Sequence, residues 1–155
     1  MIRRDFIRSA MAAAAMSPAD AFDQRIFKRI NELREKRGAA PLAWSEPVAA
    51  CAREQSRRIE LLRFHGHNDP ERGDISRRLT AAGVAWSSCG ENLFSERGYD
   101  DPVHYAVVFW WYSPGHQQNL LNPVYTETGV GVVRGVDGTC FATQIFITPP
   151  ARLRR

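Results

Sequence analysis

Apolar residues recur at helical spacing from Phe22 through Ile26 and Ile30 to Leu33. Gly38 stands where a left-handed C-terminal cap would end that run. The pattern predicts a helix over 22–37, followed by a connector, "AAPLAW". Ser45-Glu46-Pro47 opens a second helical stretch reaching about Leu62, with Val48, Cys51, Ala52, Ile59 and Leu62 near one face. A polar loop, "HGHNDPERGD", comes next. Asp74 is placed to cap a short helix through Leu79, and Gly83 ends it. "GENLF" reads as a short strand. Asp101-Pro102 begins the helix "VHYAVVFWW", which stops at Tyr112-Ser113-Pro114-Gly115. Ser113-Pro114 also reads as the cap and first turn of a further short helix that carries His116.

The period then changes. "TGVGVVR" and "TCFATQIFI" are rich in β-branched and aromatic residues, and "GVDG" between them predicts a hairpin with Asp137-Gly138 in its turn. Helices first and a hairpin last describe an α+β chain rather than alternating βαβ units.

Length and composition narrow this further. At 155 residues, with 44% hydrophobic and 25% charged positions, the chain suits one ordered domain with a core of its own. The net charge of +4 is spread over both ends and several helical faces. It is not gathered into the aromatic-interleaved stripe of a nucleic-acid surface, so no nucleic-acid partner is expected. No apolar run has membrane-spanning length, so no transmembrane anchor is expected.

Residues 1–21 read as an export signal. "RRDFIR" resembles a twin-arginine motif, a weak apolar run "AMAAAAM" follows, and Ala19-Asp20-Ala21 offers an A-x-A cleavage site. The alternative is a first helix starting here, with Ser17 as cap and Pro18 in the first turn. The expected division is therefore a signal over 1–21, a domain over 22–148 and a basic tail over 149–155. The expected location is extracytoplasmic, periplasmic or secreted. Three cysteines, Cys51, Cys89 and Cys140, occur without a C-x-x-C pair, which argues against a zinc ribbon or thioredoxin-type site.

Four ionisable residues sit beside structural punctuation: His67, Glu91, His116 and Glu127. Each has an ordinary alternative: loop residue, water-facing strand charge, helix cap, solvated turn. Together, imidazoles and carboxylates would suit zinc or another divalent cation. Spacing alone does not show that they converge.

"GENLF", "WWYSPGHQQNLLNP", "YTETGVGVV" and "FATQIF", in this order, resemble the CAP superfamily of cysteine-rich secretory, antigen 5 and pathogenesis-related-1 proteins. The likeness is greatest to its bacterial, single-domain, SCP-like extracellular branch and runs over about residues 25–148. It implies a three-layer α-β-α sandwich, with a small antiparallel sheet between helices and a cavity lined by histidines and glutamates. His67 matches the first cavity histidine by its interval to "DP"; His65 falls two residues early. Glu91 matches the glutamate of "GEN", His116 the second histidine, and Trp110 the tryptophan before "SPGH". The eukaryotic branch has another cavity glutamate in the helix before that histidine. Here "WWYSPGH" holds no acid, so Glu127 is a candidate by its proximity in the motif.

Two function classes follow from the resemblance. One is an extracytoplasmic module that binds a lipid or protein ligand, its cavity holding a divalent metal on His67 and His116. The other is a metal-dependent, protease-like hydrolase with Glu91 as general base. No dedicated nucleophile motif supports the second. A lipid would need an apolar groove floored by Phe109, Trp110 and Trp111, residues that equally suit a core. If a disulfide forms, strand order borrowed from the family favours Cys89 with Cys140.

Overall fold

The computed structural model describes residues 18–151. The twin-arginine motif and the end of the basic tail lie outside the described residues. Ala19-Asp20-Ala21 lies within the first turn of α1 (Pro18–Lys36). The chain continues through β1 (Ala43–Trp44), α2 (Glu46–Leu62), α3 (Ile75–Ala81) and β2 (Ser88–Glu96). It then forms α4 (Pro102–Tyr112), α5 (Pro114–Leu121), β3 (Glu127–Arg134) and β4 (Cys140–Thr148).

Local chemistry accounts for most boundaries. Asp74 accepts from the Arg77 backbone N–H, and Asp101 from that of His104, so each satisfies an orphan donor at the start of a helix. Pro47, Pro102 and Pro114 sit where a missing N–H costs nothing. The β3–β4 hairpin closes through Gly138, at φ +81°, with Asp137 accepting from the Thr139 N–H.

The sheet order is β1-β3-β4-β2. β4 lies in the centre, antiparallel to both β2 and β3, and β1 pairs parallel with the start of β3. Side chains alternate between two covered faces. On one face, Ile145 and Ile147 pack with Val48 and Ala52 of α2 and Leu79 of α3. On the other, Phe94, Val130, Val132 and Phe146 pack with Ile26 and Ile30 of α1 and with Ala106 and Trp110 of α4. This is the expected α-β-α sandwich.

The glycines of "TGVGVV" explain how α2 can lie so close. A Cβ on Gly129 would stand 2.1 Å from the Ala49 nitrogen, and one on Gly131 would stand 2.1 Å from the Arg53 nitrogen. Glycine at alternate positions therefore flattens one face for the helix, while Val130 and Val132 fill the other. Ser56 of α2 fastens the contact, its hydroxyl donating to the Gly131 carbonyl at 2.8 Å. From the opposite layer, buried Asp23 accepts from the Val132 N–H at 2.7 Å and from Arg53 Nε at 2.8 Å.

The register overturns the Cys89–Cys140 expectation. Cys89 is opposite Ile147, whereas Cys140 is opposite Glu96 at the far end of the same pairing. That separates the two thiols by roughly 20 Å along the strands, far beyond the 7 Å limit for bridged α-carbons. They also face different layers, Cys89 toward α2 and α3 and Cys140 toward α1 and α4. All three cysteines are free.

Candidate functional site

β2 is an edge strand, and the site is built around that edge. Glu91 points to the α2/α3 side, with 2% of its side chain exposed. Its partner is Arg78 of α3, whose Nη2 donates to both carboxylate oxygens at 3.0 and 2.8 Å and to the His67 carbonyl at 3.2 Å. Glu91 Oε1 also lies 3.0 Å from His67 Nδ1. A buried carboxylate thus stands between a guanidinium and an imidazole. The imidazole itself is 56% exposed at the mouth of the site.

The loop that carries His67 is held from behind. Buried Asp69 pairs with Arg58 through both oxygens and accepts the backbone N–H groups of Glu71 and Arg72 at 2.9 Å. The Arg58 guanidinium, and then these two N–H groups, keep the Asp69 carboxyl well below the usual carboxylate range, against the opposing effect of its burial.

His116 reaches the site from the other side of β2. The Asn92 amide donates to the His116 carbonyl at 3.1 Å. Asn119, one turn further along α5, donates to the Glu91 carbonyl at 3.2 Å and to Asn92 Oδ1 at 3.0 Å. The asparagines of "GEN" and "SPGHQQN" therefore clamp α5 to β2. The His116 Nδ1 atom is buried and has no hydrogen-bond partner among the described residues. Burial first, and the charge of nearby His67 second, lower the His116 pKa, so this imidazole favours its neutral form. Beside it a cavity of about 200 Å³ is lined by Phe64, Leu93, Phe109 and His116, together with His65 and Glu96.

Every second carbonyl of an antiparallel edge strand faces outward. In β2 three of these accept side-chain hydrogen bonds: Cys89 from the Tyr125 hydroxyl at 3.1 Å, Glu91 from Asn119, and Leu93 from Trp110 Nε1 at 2.8 Å. Trp110 is fully buried and belongs to the core, not to a groove floor. Trp111 lies under the Arg37 guanidinium, 4.9 Å from its ring centre. Only Phe109 of the three aromatics lines the cavity, with 48% exposure.

The fold thus brings His67, Glu91 and His116 to one edge. It does not bring Glu127 there. Glu127 faces Ile147 and, on its other side, Ala43. It lies two strands and two residues from Glu91, roughly 12 Å by ordinary sheet spacing. Arg78 escapes sequence reading, since an arginine on a short amphipathic helix looks like surface charge. The available signal was its place one turn after the Asp74 cap, on the side that also carries buried Leu79. Among the described residues, no three His, Cys, Asp or Glu side chains are grouped to hold a metal ion.

A family model described as the cysteine-rich secretory protein family, CAP, matches residues 27–146. The uncharacterized protein YkwD of Bacillus subtilis is 31% identical over 134 residues, covering 86% of this chain and 50% of its own. An extracellular protein of Bacillus anthracis containing an SCP domain has a similar structure. Its TM-score is 0.75 at 29% identity, over 87% of this chain and 45% of that one. An outer surface protein of Borrelia burgdorferi shares the fold with a TM-score of 0.74 at 19% identity, over 82% and 92% of the two chains. The chain spans about half the length of the first two of these proteins.

Proposed function

The chain belongs to the cysteine-rich secretory protein family, and on that footing we propose that it works outside the cytoplasm as a module that binds a ligand at the His67–Glu91–His116 edge. The observation that carries this reading is an apolar cavity at His116, on the same edge as the oriented, accessible His67 imidazole. Glu91 fixes the His67 ring, and Phe64, Leu93 and Phe109 offer an apolar wall next to His116. A cavity of about 200 Å³ takes one apolar group, such as part of a lipid chain or a side chain of a partner protein. The extracytoplasmic location is supported by the bacterial relative described as extracellular. Among the described residues, no helix is long and apolar enough to cross a membrane.

A divalent cation fits this donor set in a limited way. Among the described residues, His116 Nδ1 is an orphaned buried nitrogen and His67 Nε2 makes no hydrogen bond. These two imidazoles would hold zinc or a similar ion, and Glu91 would orient His67 as carboxylates do behind ligating histidines. When bound, the ion would supply Lewis acidity at the cavity mouth. Glu91 is poorly suited to be a general base. Arg78 and His67 together use three of its roughly four lone-pair sites. Binding is therefore favoured over hydrolysis.

Zinc titration calorimetry tests the cation. His67→Ala and His116→Ala should abolish binding. Glu91→Ala should weaken it roughly 10–100-fold, as loss of an orienting partner does, and His65→Ala should leave it near wild type. Loss in His65→Ala with retention in His67→Ala would overturn the assignment. The ligand site is tested separately by vesicle binding and pull-down with the full chain. Phe109→Ala and His116→Ala should each reduce capture, and unchanged capture by both variants would overturn the site.

A further inference from the structure

A larger cavity, about 810 Å³, opens between α2 and α3, on the far side of Arg78 from Glu91. Its size suits a small organic molecule. Two of its lining residues are buried polar groups with uncommitted atoms. Gln55 of α2 is 1% exposed, and neither amide atom has a hydrogen-bond partner among the described residues. Arg78 of α3 is 8% exposed; its Nη2 serves Glu91 and His67, but Nε and Nη1 are unpartnered. Buried donors and acceptors are almost always paired in native proteins, so four such atoms beside one cavity call for a partner.

The charges at the mouth limit what that partner is. Arg58 is held by Asp69 and Glu71, and Arg72 by Glu54 at 3.0 Å. Among the described residues Arg77 is the lining arginine outside any ion pair, its charge acting on the exposed Asp74, and with two Arg78 nitrogens still open inside this suits a single negative charge. A dianion would be repelled more strongly by Glu54 and Glu71, which also line the cavity. The side walls are small and apolar, with Pro47, Ala50, Ala81 and Ala82.

We propose that the cavity between α2 and α3 binds a small organic monocarboxylate, its head meeting Gln55 and Arg78 and its apolar body lying against Ala50 and Ala81. The carboxylate accepts from the Gln55 amide and from an Arg78 N–H, and Arg77 attracts it at the mouth. This site shares Arg78 with the His67–Glu91–His116 edge, through different nitrogens, and does not depend on the function proposed there.

The test uses the full chain with octanoate and benzoate as probes, and with octylamine and sulfate as controls. Cys51 lines the cavity, so occupancy should protect it from alkylation, while buried Cys140 stays unlabelled throughout. Amide resonances of Ala50, Ala81 and Ala82 should shift with either carboxylate and not with the controls. Arg77→Ala should weaken binding by roughly tenfold, the loss of one charge-assisted contact. Gln55→Leu should weaken it at least as much. It should also raise the melting temperature of the ligand-free protein by roughly 2–4 °C, because it removes two unpaired buried atoms. His116→Ala should bind octanoate as wild type does. The proposal is overturned if neither carboxylate protects Cys51 or shifts these amides. Equal effects from octylamine or sulfate, or loss of binding in His116→Ala, would also overturn it. So would a lowered melting temperature in Gln55→Leu, which would mean that an internal water already satisfies the amide.

Discussion

Glu91 and Arg78 have both nearly left solvent, with 2% and 6% of their side chains exposed. Taking two charges out of water is costly, and their attraction offsets that cost only while both are present. Arg78→Met should therefore destabilise the protein by about 3–5 kcal/mol, because it strands a buried carboxylate. The double variant Arg78→Met/Glu91→Gln should cost clearly less than the sum of its two single changes, and denaturant unfolding of the four proteins measures the coupling. His67→Ala, at an exposed ring, should cost under about 1 kcal/mol. The pair thus serves the fold, and the ring it aims serves the surface.

At the scale of elements, the tight seat of α2 on β3 depends on two missing side chains. A methyl group at Gly131 would overlap the Arg53 backbone, which cannot yield as a flexible side chain would. Gly131→Ala should cost at least about 2 kcal/mol in urea unfolding, the overpacking penalty of a core without spare room. Asn119→Leu should leave α5 helical but loosen it from β2, lowering the affinity of the proposed zinc site more than stability. What the sequence makes legible here is mostly local. The caps at Asp74 and Asp101, the prolines that open helices and the period change at Thr128 act within a few residues, and they locate five helices and the hairpin. β1 is hidden in "AAPLAW" because two residues gain strand character only by pairing with Glu127 and Thr128, far along the chain. The thiol pairing fails for a related reason. Reading Cys89 and Cys140 as strand residues says nothing of register, and register sets both the end and the face of the sheet. Arg78 stays hidden because its burial depends on a carboxylate from another element. His67, Glu91 and His116 are recoverable through the family's motifs, whereas Glu127 lies near His116 only in sequence.

The molecule as a whole should respond to acid through Asp69. Its folded pKa is held low by Arg58 and backbone N–H groups, so its contribution is fully present above the unfolded value of about 4 and fades as pH falls below that. Melting curves between about pH 6 and pH 2 should show stability dropping on the acid side. Asp69→Asn should be less stable at neutral pH and lose less of its remaining stability on acidification. The sheet also bears on how copies of this chain meet. An open strand edge is a template on which another chain can add a strand, and such addition seeds aggregates. One edge here, β1, is two residues long; at the other, three successive outward carbonyls of β2 are already occupied by Tyr125, Asn119 and Trp110. These side chains act as guards against self-association as well as fasteners. Trp110→Phe would keep most of the core volume but free the Leu93 carbonyl. It should yield a protein that melts only slightly earlier yet forms thioflavin-positive oligomers at concentrations where the parent stays monodisperse.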